Sequence, residues 1–254
     1  MKIAQIIDTL EEFAPLALQE DFDNSGIQIG DIHQKAKGIL LCLDVTEDVV
    51  DEAIELDCNL IISHHPLLFK PVRTLTGKTY IERCVFKACK NDLVIYSAHT
   101  NLDNAPGGVN FRLAEKIGLL NIQALKPDGS GVVGELPAEE DEESFLQRIK
   151  AIFQLQCLKY SPFTGRKIRE VALCGGSGAF LIPDAIAYGA DVFLTGEAKY
   201  NNYYDVENHI LLAVLGHYES ELCTKELFFD IISKKIPNFA IYFSNVNTNP
   251  VNYM

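Results

Sequence analysis

The chain places two adjacent histidines at the end of an apolar run in IISHHPLLF, residues 61–69. Two further short stretches carry groups of the same chemistry. One is His99-Thr-Asn-Leu-Asp103 and the other is Gly216-His217-Tyr-Glu-Ser-Glu221. His64, His65, His217, Asp103 and Glu221 together supply three imidazoles and two carboxylates. That donor set suits borderline divalent ions such as Zn, Mn, Fe, Co or Ni. In a regular strand neighbouring side chains point to opposite faces, so His64 and His65 cannot chelate one ion there. Past the strand end, with Pro66 biasing His65 away from helix, they can serve two neighbouring ions. His217 and Glu221 are four residues apart at the start of a helical pattern, and so share a face. A carboxylate can bridge two ions, and a bridged pair ~3.5–4 Å apart would activate water and clamp a phosphate or acyl oxygen.

Each residue also has a plainer explanation. A lone histidine at a strand end is ordinarily a hydrogen-bonded structural residue. A His–Glu pair at i, i+4 is usually a surface pair worth about 0.2–0.5 kcal/mol. What favours a site is coincidence: four of the six histidines fall at strand ends, and three of them lie in short polar clusters. His33 and His209 read as structural. CGGSGAF (174–180) and LTGEAKY (194–200) are candidates for anion contact or for a supporting carboxylate, Glu197. Thr195 and Gly196 read as structural. The run DFDNSGIQIGD (21–31) reads as a turn-rich loop whose polar density has no packing explanation.

The elements that must position these groups follow from the hydrophobic pattern. GILLCLDV (38–45), NLIISHH (59–65), DLVIYSAH (92–99), REVALCGG (169–176), ADVFLTG (190–196) and HILLAVLG (209–216) are short, apolar on both faces and stopped by Gly, Asp or His. That pattern predicts buried strands. Between them TEDVVDEAIEL (46–56), with Thr46 as N-cap, YIERCVFKACK (80–90), EESFLQRIKAIF (142–153) and residues 218–234 predict helices. Such alternation implies α/β layers with mixed, mostly parallel sheets. In open sheets of this kind ligands bind beyond the carboxyl ends of the strands, where the histidines fall. A Gly-, Pro- and acid-rich stretch at 127–143 marks a boundary. The expected arrangement is a first lobe over 1–125 plus 206–254 and a second over 126–205.

Composition excludes several classes. A formal net charge of −13 and the lack of a Lys/Arg cluster argue against nucleic acid as a partner. No apolar run approaches the roughly 20 residues of a membrane helix, and the start has none of the marks of a signal peptide. The expectation is a cytoplasmic protein with no membrane partner. Seven scattered cysteines without a CxxC pair read as reduced core thiols. There is no GxSxG elbow and no Walker-type lysine loop.

Taken in order, DNSGIQIG, ISHHPLLF, HTNLDNAPGGVN, LCGGSG, TGE, GHYESE and the closing VNTNPVNY resemble the dinuclear metal-centre family of GTP cyclohydrolase 1 type 2 homologues. The likeness runs from about residue 21 to the C-terminus and fits the short form, without an inserted middle domain. The resemblance implies two linked α/β lobes, a dinuclear site in the cleft between them, and a homohexamer. It implies two divalent cations per chain, with His64, His65, Asp103, His217 and Glu221 as ligands. Glu221 would be the bridge, His64 and His217 would serve one ion, and His65 and Asp103 the other. His99 would act beside the site in proton transfer. One departure stands out. Some members carry a histidine shortly after TGE or TGD, where this chain reads Ala198-Lys199-Tyr200-Asn201-Asn202.

Three functions compete. The first is a metal-dependent hydrolase of a nucleotide or related phosphorylated small molecule, GTP cyclohydrolase-like by resemblance. The second is a non-catalytic metal-handling or metal-insertion protein. The third is a scaffold braced by metals.

Overall fold

A computed structural model describes all residues 1–254. Its contacts divide the chain into two units, Met1–Ala105 with Thr224–Pro250, and Pro106–Cys223 with Val251–Met254. The strands in chain order are β1 (Gly26–Ile29), β2 (Ile39–Cys42), β3 (Leu60–Ser63), β4 (Val94–Ser97), β5 (Leu120–Ala124), β6 (Val132–Asp141), β7 (Lys159–Tyr160), β8 (Lys167–Cys174), β9 (Val192–Thr195), β10 (Leu211–Val214) and β11 (Ile241–Phe243).

The first unit holds one sheet in the order β1-β4-β3-β2-β11. Its central strands are parallel, and every residue of β2, β3 and β4 is buried, which explains their unbroken apolar runs. One face, with Leu40, Cys42, Ile61 and Ile95, packs against Val49, Val50, Ala53, Cys84, Val85 and Ala88 of the helices Glu47–Glu55 and Tyr80–Lys90. Each buried Val, Leu or Ile side chain among them contributes about 1.5–3 kcal/mol. Thr46 and Thr79 cap these helices by accepting from the amides of Val49 and Glu82. The register pairs Cys42 with Ser63, and Ser63 with Ser97. The three strands therefore end level, and the residues that follow them leave the sheet along one edge.

The second unit holds the order β5-β6-β8-β9-β10-β7, with a parallel centre (β8, β9, β10) and antiparallel flanks. One face buries Phe145, Leu146 and Ile149 of the helix Glu142–Ile152, with Leu113, Ala114 and Ile117 of the helix Val109–Ile117. The other face, with Ala172, Phe193 and Leu212, packs against Leu181, Ile182 and Ala185. Again the parallel strands end level, Cys174 beside Thr195 and Thr195 beside Val214.

Both sheets are mixed, with parallel pairing predominating in the first. Several expectations are corrected. The divide falls at Ala105/Pro106 and at Cys223/Thr224, not at 126 and 206. The composition shift at 127 marks only the turn between β5 and β6, closed by Gly129 donating to the carbonyl of Lys126. Residues 21–31 include an edge strand, β1, whose partly polar face disguised it. Residues 218–234 form two helices, His217–Glu221 and Thr224–Lys235, rather than one. All seven cysteines are free thiols, but Cys89 and Cys157 are exposed rather than in the core. No helix is long and apolar enough to cross a membrane.

Glu82 anchors the loop before its own helix. Its carboxylate accepts from the Thr76 amide at 2.6 Å, the Thr76 hydroxyl at 2.8 Å, the Lys78 amide and the Thr79 hydroxyl. The Thr76 amide and hydroxyl bonds are the main reason its pKa falls to about 2. A depressed carboxylate stabilises the fold above its unfolded value of 4.5, and that contribution is lost as pH falls towards 2. Glu82→Gln should therefore melt below wild type at pH 7, with the gap closing between pH 4.5 and 2. A pH-independent gap in thermal melts would contradict this account.

Candidate metal centre

In the first unit, β3 stops at Ser63, and the next residues are fixed by backbone bonds past the strand. The Ser63 hydroxyl donates to the His65 carbonyl at 2.9 Å and lies 2.7 Å from the Ser97 hydroxyl. This turns both imidazoles out of the strand alternation. Their ring centroids come within 5.0 Å, tilted by 43°. His99, two residues beyond β4, lies 5.2 Å from the His64 ring and 5.5 Å from the His65 ring. Ligating nitrogens of the three approach within 4.8 Å of one another, close enough to hold one ion. His99 therefore stands within ligand distance of the histidine pair. Asp103, at the end of the short helix Thr100–Asp103, has Oδ1 3.6 Å from Nε2 of the buried His64.

The remaining nitrogen of each ring has a defined partner. His64 Nδ1 donates to the Ala98 carbonyl at 2.9 Å, and His65 Nδ1 to Asp44 Oδ1 at 2.7 Å. The second oxygen of Asp44 accepts from the Thr248 hydroxyl at 2.7 Å. His99 Nδ1 donates to Asp23 Oδ1 at 2.8 Å. Asp23 also accepts from the amide and hydroxyl of Thr100, from the Ser25 hydroxyl and from the Asn24 amide. Burial opposes ionisation of both carboxylates. The bonds from His99 and Thr100 to Asp23, and from His65 and Thr248 to Asp44, outweigh it and hold both below the usual carboxylate range. With Nδ1–H committed in this way, a neutral imidazole carries its lone pair on Nε2, the arrangement of metal-binding histidines.

The second unit repeats the plan. Its helix His217–Glu221 begins three residues after β10 and brings His217 Nε2 to 3.1 Å from Glu221 Oε2, while Nδ1 lies 3.0 Å from Glu197 Oε1. Glu197 is therefore the carboxylate that orients His217. The glycine turn after β8 forms the floor beneath this pair. Gly176 has φ +55°, and a Cβ there would collide with the Glu221 carboxylate. A Cβ at Gly196 would sit 2.6 Å from both the Gly176 carbonyl and the Ser220 hydroxyl. Three amides of the turn already have protein acceptors: Gly175 donates to Asn110, Gly176 to Ser220 and Gly178 to Thr195. The helix that follows, Ile182–Tyr188, is short. The expected anion contact at 174–180 is replaced by a packing role.

The donor chemistry fits a divalent cation. A neutral His217 with its proton on Nδ1 points a lone pair at an acidic oxygen 3.1 Å away, and the same holds for His64 and Asp103 at 3.6 Å. Two acceptors that face each other repel unless a proton or a cation lies between them. Sequence reading missed Asp23, Asp44 and Thr248. Asp44 had a signal, since it closes GILLCLDV level with the histidine pair, and Asp23 sat in the unexplained polar run.

These features define a two-sheet α/β protein with histidine–carboxylate groups of metal-binding type at the ends of parallel strands. The chain belongs to the Duf34/NIF3 (NGG1p interacting factor 3) family, whose model matches residues 1–250. A "GTP cyclohydrolase 1 type 2 homolog" of Clostridium acetobutylicum is 35% identical over 98% of this chain and 94% of its own length. "NIF3-like protein 1" of Drosophila melanogaster is 34% identical over 98% of this chain and 88% of its own. The crystal structure of a Staphylococcus aureus hypothetical protein matches with a TM-score of 0.91 and 30% identity, covering 100% of this chain and 99% of that one.

Asp44→Ala frees the His65 ring and should weaken divalent-metal affinity by about 10- to 100-fold. Competition with a chromogenic chelator reads this, and unchanged affinity would remove Asp44 from the site. Gly176→Ala, by displacing the Glu221 carboxylate, should lower metal affinity in the same titration while the fold persists by circular dichroism.

Proposed function

We propose that this protein is a divalent-metal-dependent hydrolase acting on a nucleotide or related phosphorylated small molecule. Its ligands to two cations are drawn from His64, His65, Asp103, His217 and Glu221. The observation that carries this reading is the pairing of lone-pair-bearing Nε2 atoms with carboxylate oxygens, His217 with Glu221 at 3.1 Å above all. When bound, such cations would supply Lewis acidity and make water a stronger nucleophile near neutral pH. The chain's own residues do the rest. Asp44, Glu197 and the Ala98 carbonyl hold His65, His217 and His64 in one tautomer and one orientation. His99, fixed through Nδ1 by Asp23, can hold or pass a proton at Nε2. The names of relatives such as the Clostridium acetobutylicum protein agree with a nucleotide substrate. A homohexameric assembly and a cytoplasmic location belong to the same reading.

One observation favours the metal-handling alternative. The glycine turn that was to cradle a phosphate has three of its amides committed to protein acceptors. Kinetics separates the two readings. Turnover of a nucleotide or phosphoester that Asp103→Ala abolishes supports the hydrolase. Rapid metal transfer to an apo-enzyme, with no turnover on a broad panel, supports the carrier.

Elemental analysis tests the shared premise. Wild type should carry about two ions per chain, the usual complement of a paired site, and Glu221→Ala one or none. No bound metal after loading with Zn, Mn or Fe would sink both readings.

A further inference from the structure

Phe22 is 68% exposed and Phe69 41% exposed, yet both stand beside the histidine cluster of the first unit. The Phe69 ring lies 6.0 Å from His99 at 89°, and the Phe22 ring lies 6.4 Å from Phe69 at 72°. Packing offers little reason for them, since a solvated phenylalanine contributes little burial. Their backbones are nevertheless fixed. Leu68, next to Phe69, accepts from the Asn24 side chain at 2.9 Å through its carbonyl, and its amide donates to Gln28 at 3.1 Å. Asp23, next to Phe22, is bound to His99 and Thr100. The same polar run, 23–28, therefore orients His99 and holds both aromatic residues. Holding the backbone beside exposed rings before a ligand arrives lowers the entropic cost of stacking against them.

We infer that Phe22 and Phe69 form a stacking platform for a planar heteroaromatic ring carried by the substrate, and so determine specificity for ring-bearing phosphorylated compounds. The inference rests on the proposed small-molecule site and deepens it. The class of ligand follows from the surface. Two rings inclined at 72° offer an edge and a face to a flat π-system, and stacking of this kind tolerates any base. The same loop continues through the exposed cations Lys70 and Arg73, chemistry that suits an anionic group on the ligand.

The test is isothermal titration of metal-loaded protein with adenosine 5′-monophosphate and with ribose 5-phosphate. The same two titrations are run on Phe22→Ala, Phe69→Ala and Phe69→Tyr. Wild type should bind the ring-bearing probe more tightly. Each alanine variant should lose between about fivefold and about a hundredfold of that affinity. Phe69→Tyr should retain it, and affinity for ribose 5-phosphate should not move. Both positions are exposed, so the variants should keep the wild-type melting point. Equal affinity of wild type for the two probes, no binding of adenosine 5′-monophosphate, or alanine variants that bind as wild type would each overturn the platform. Metal content on the same preparations reads the underlying proposal separately. A ring preference in wild-type protein that takes up no metal on loading would support the platform while the hydrolase reading fails.

Discussion

An imidazole has two nitrogens, and what binds one decides what the other can do. In this protein His64, His65, His99 and His217 all present Nδ1 to an oxygen acceptor: a carbonyl, Asp44, Asp23 and Glu197 respectively. Each ring is thereby fixed in rotation and tautomer, and each Nε2 becomes the reactive atom. Much else in both units serves that arrangement. Thr248, far from Asp44 in sequence, is bonded to its carboxylate, and Ser25 and Thr100 are bonded to that of Asp23. Without those bonds the two carboxylates would bear an uncompensated burial cost and would drift towards the protonated form, unable to orient anything.

The sheets bring these groups to the right places by register. In each unit three parallel strands end level, so the residues that follow them emerge on one edge. In the first unit that edge yields Asp44, the His64–His65 pair and His99. In the second it yields the Gly175–Gly176 turn, Glu197 and His217. Both halves use the rule that ligands collect beyond the carboxyl ends of parallel strands, and they use it with different materials. The first supplies mostly imidazoles. The second supplies one imidazole and carboxylates, and glycines let the backbone approach them closely.

That edge explains which parts were legible in the sequence. The six buried strands were readable because both of their faces are apolar, and a residue that ends such a run stands at the sheet's edge by construction. The histidines at 64, 65 and 99 could be found on that ground alone. Thr46 could be read as a cap for the same local reason. Asp44 lay at an equivalent strand end and was passed over, since one aspartate after an apolar run is also an ordinary strand stop. Asp23 and Thr248 reach their partners across 76 and 204 residues of sequence. No local period encodes such a contact. The boundary differs for another reason: Gly and Pro at 127–131 record the turn between β5 and β6, and the acids at 139–143 end β6 and open the next helix, which composition does not distinguish from a linker between two sheets.

Charge balance carries the last step. The first unit gathers Asp23, Asp44 and Asp103 around three rings whose Nδ1 protons already point at acceptors, and the second sets Glu197 and Glu221 on either side of His217. The three rings of the first cluster lie 5.0–5.5 Å apart, with ligating nitrogens close enough to share one ion. A divalent cation bound there would offset the carboxylates and accept the Nε2 lone pairs. The excess of acidic residues over basic ones, which argued against a polyanion as partner, has the same sign at the cluster as over the whole chain. Each fixed ring thus aims its Nε2 into an acidic cluster, and that donor set could hold a borderline divalent cation.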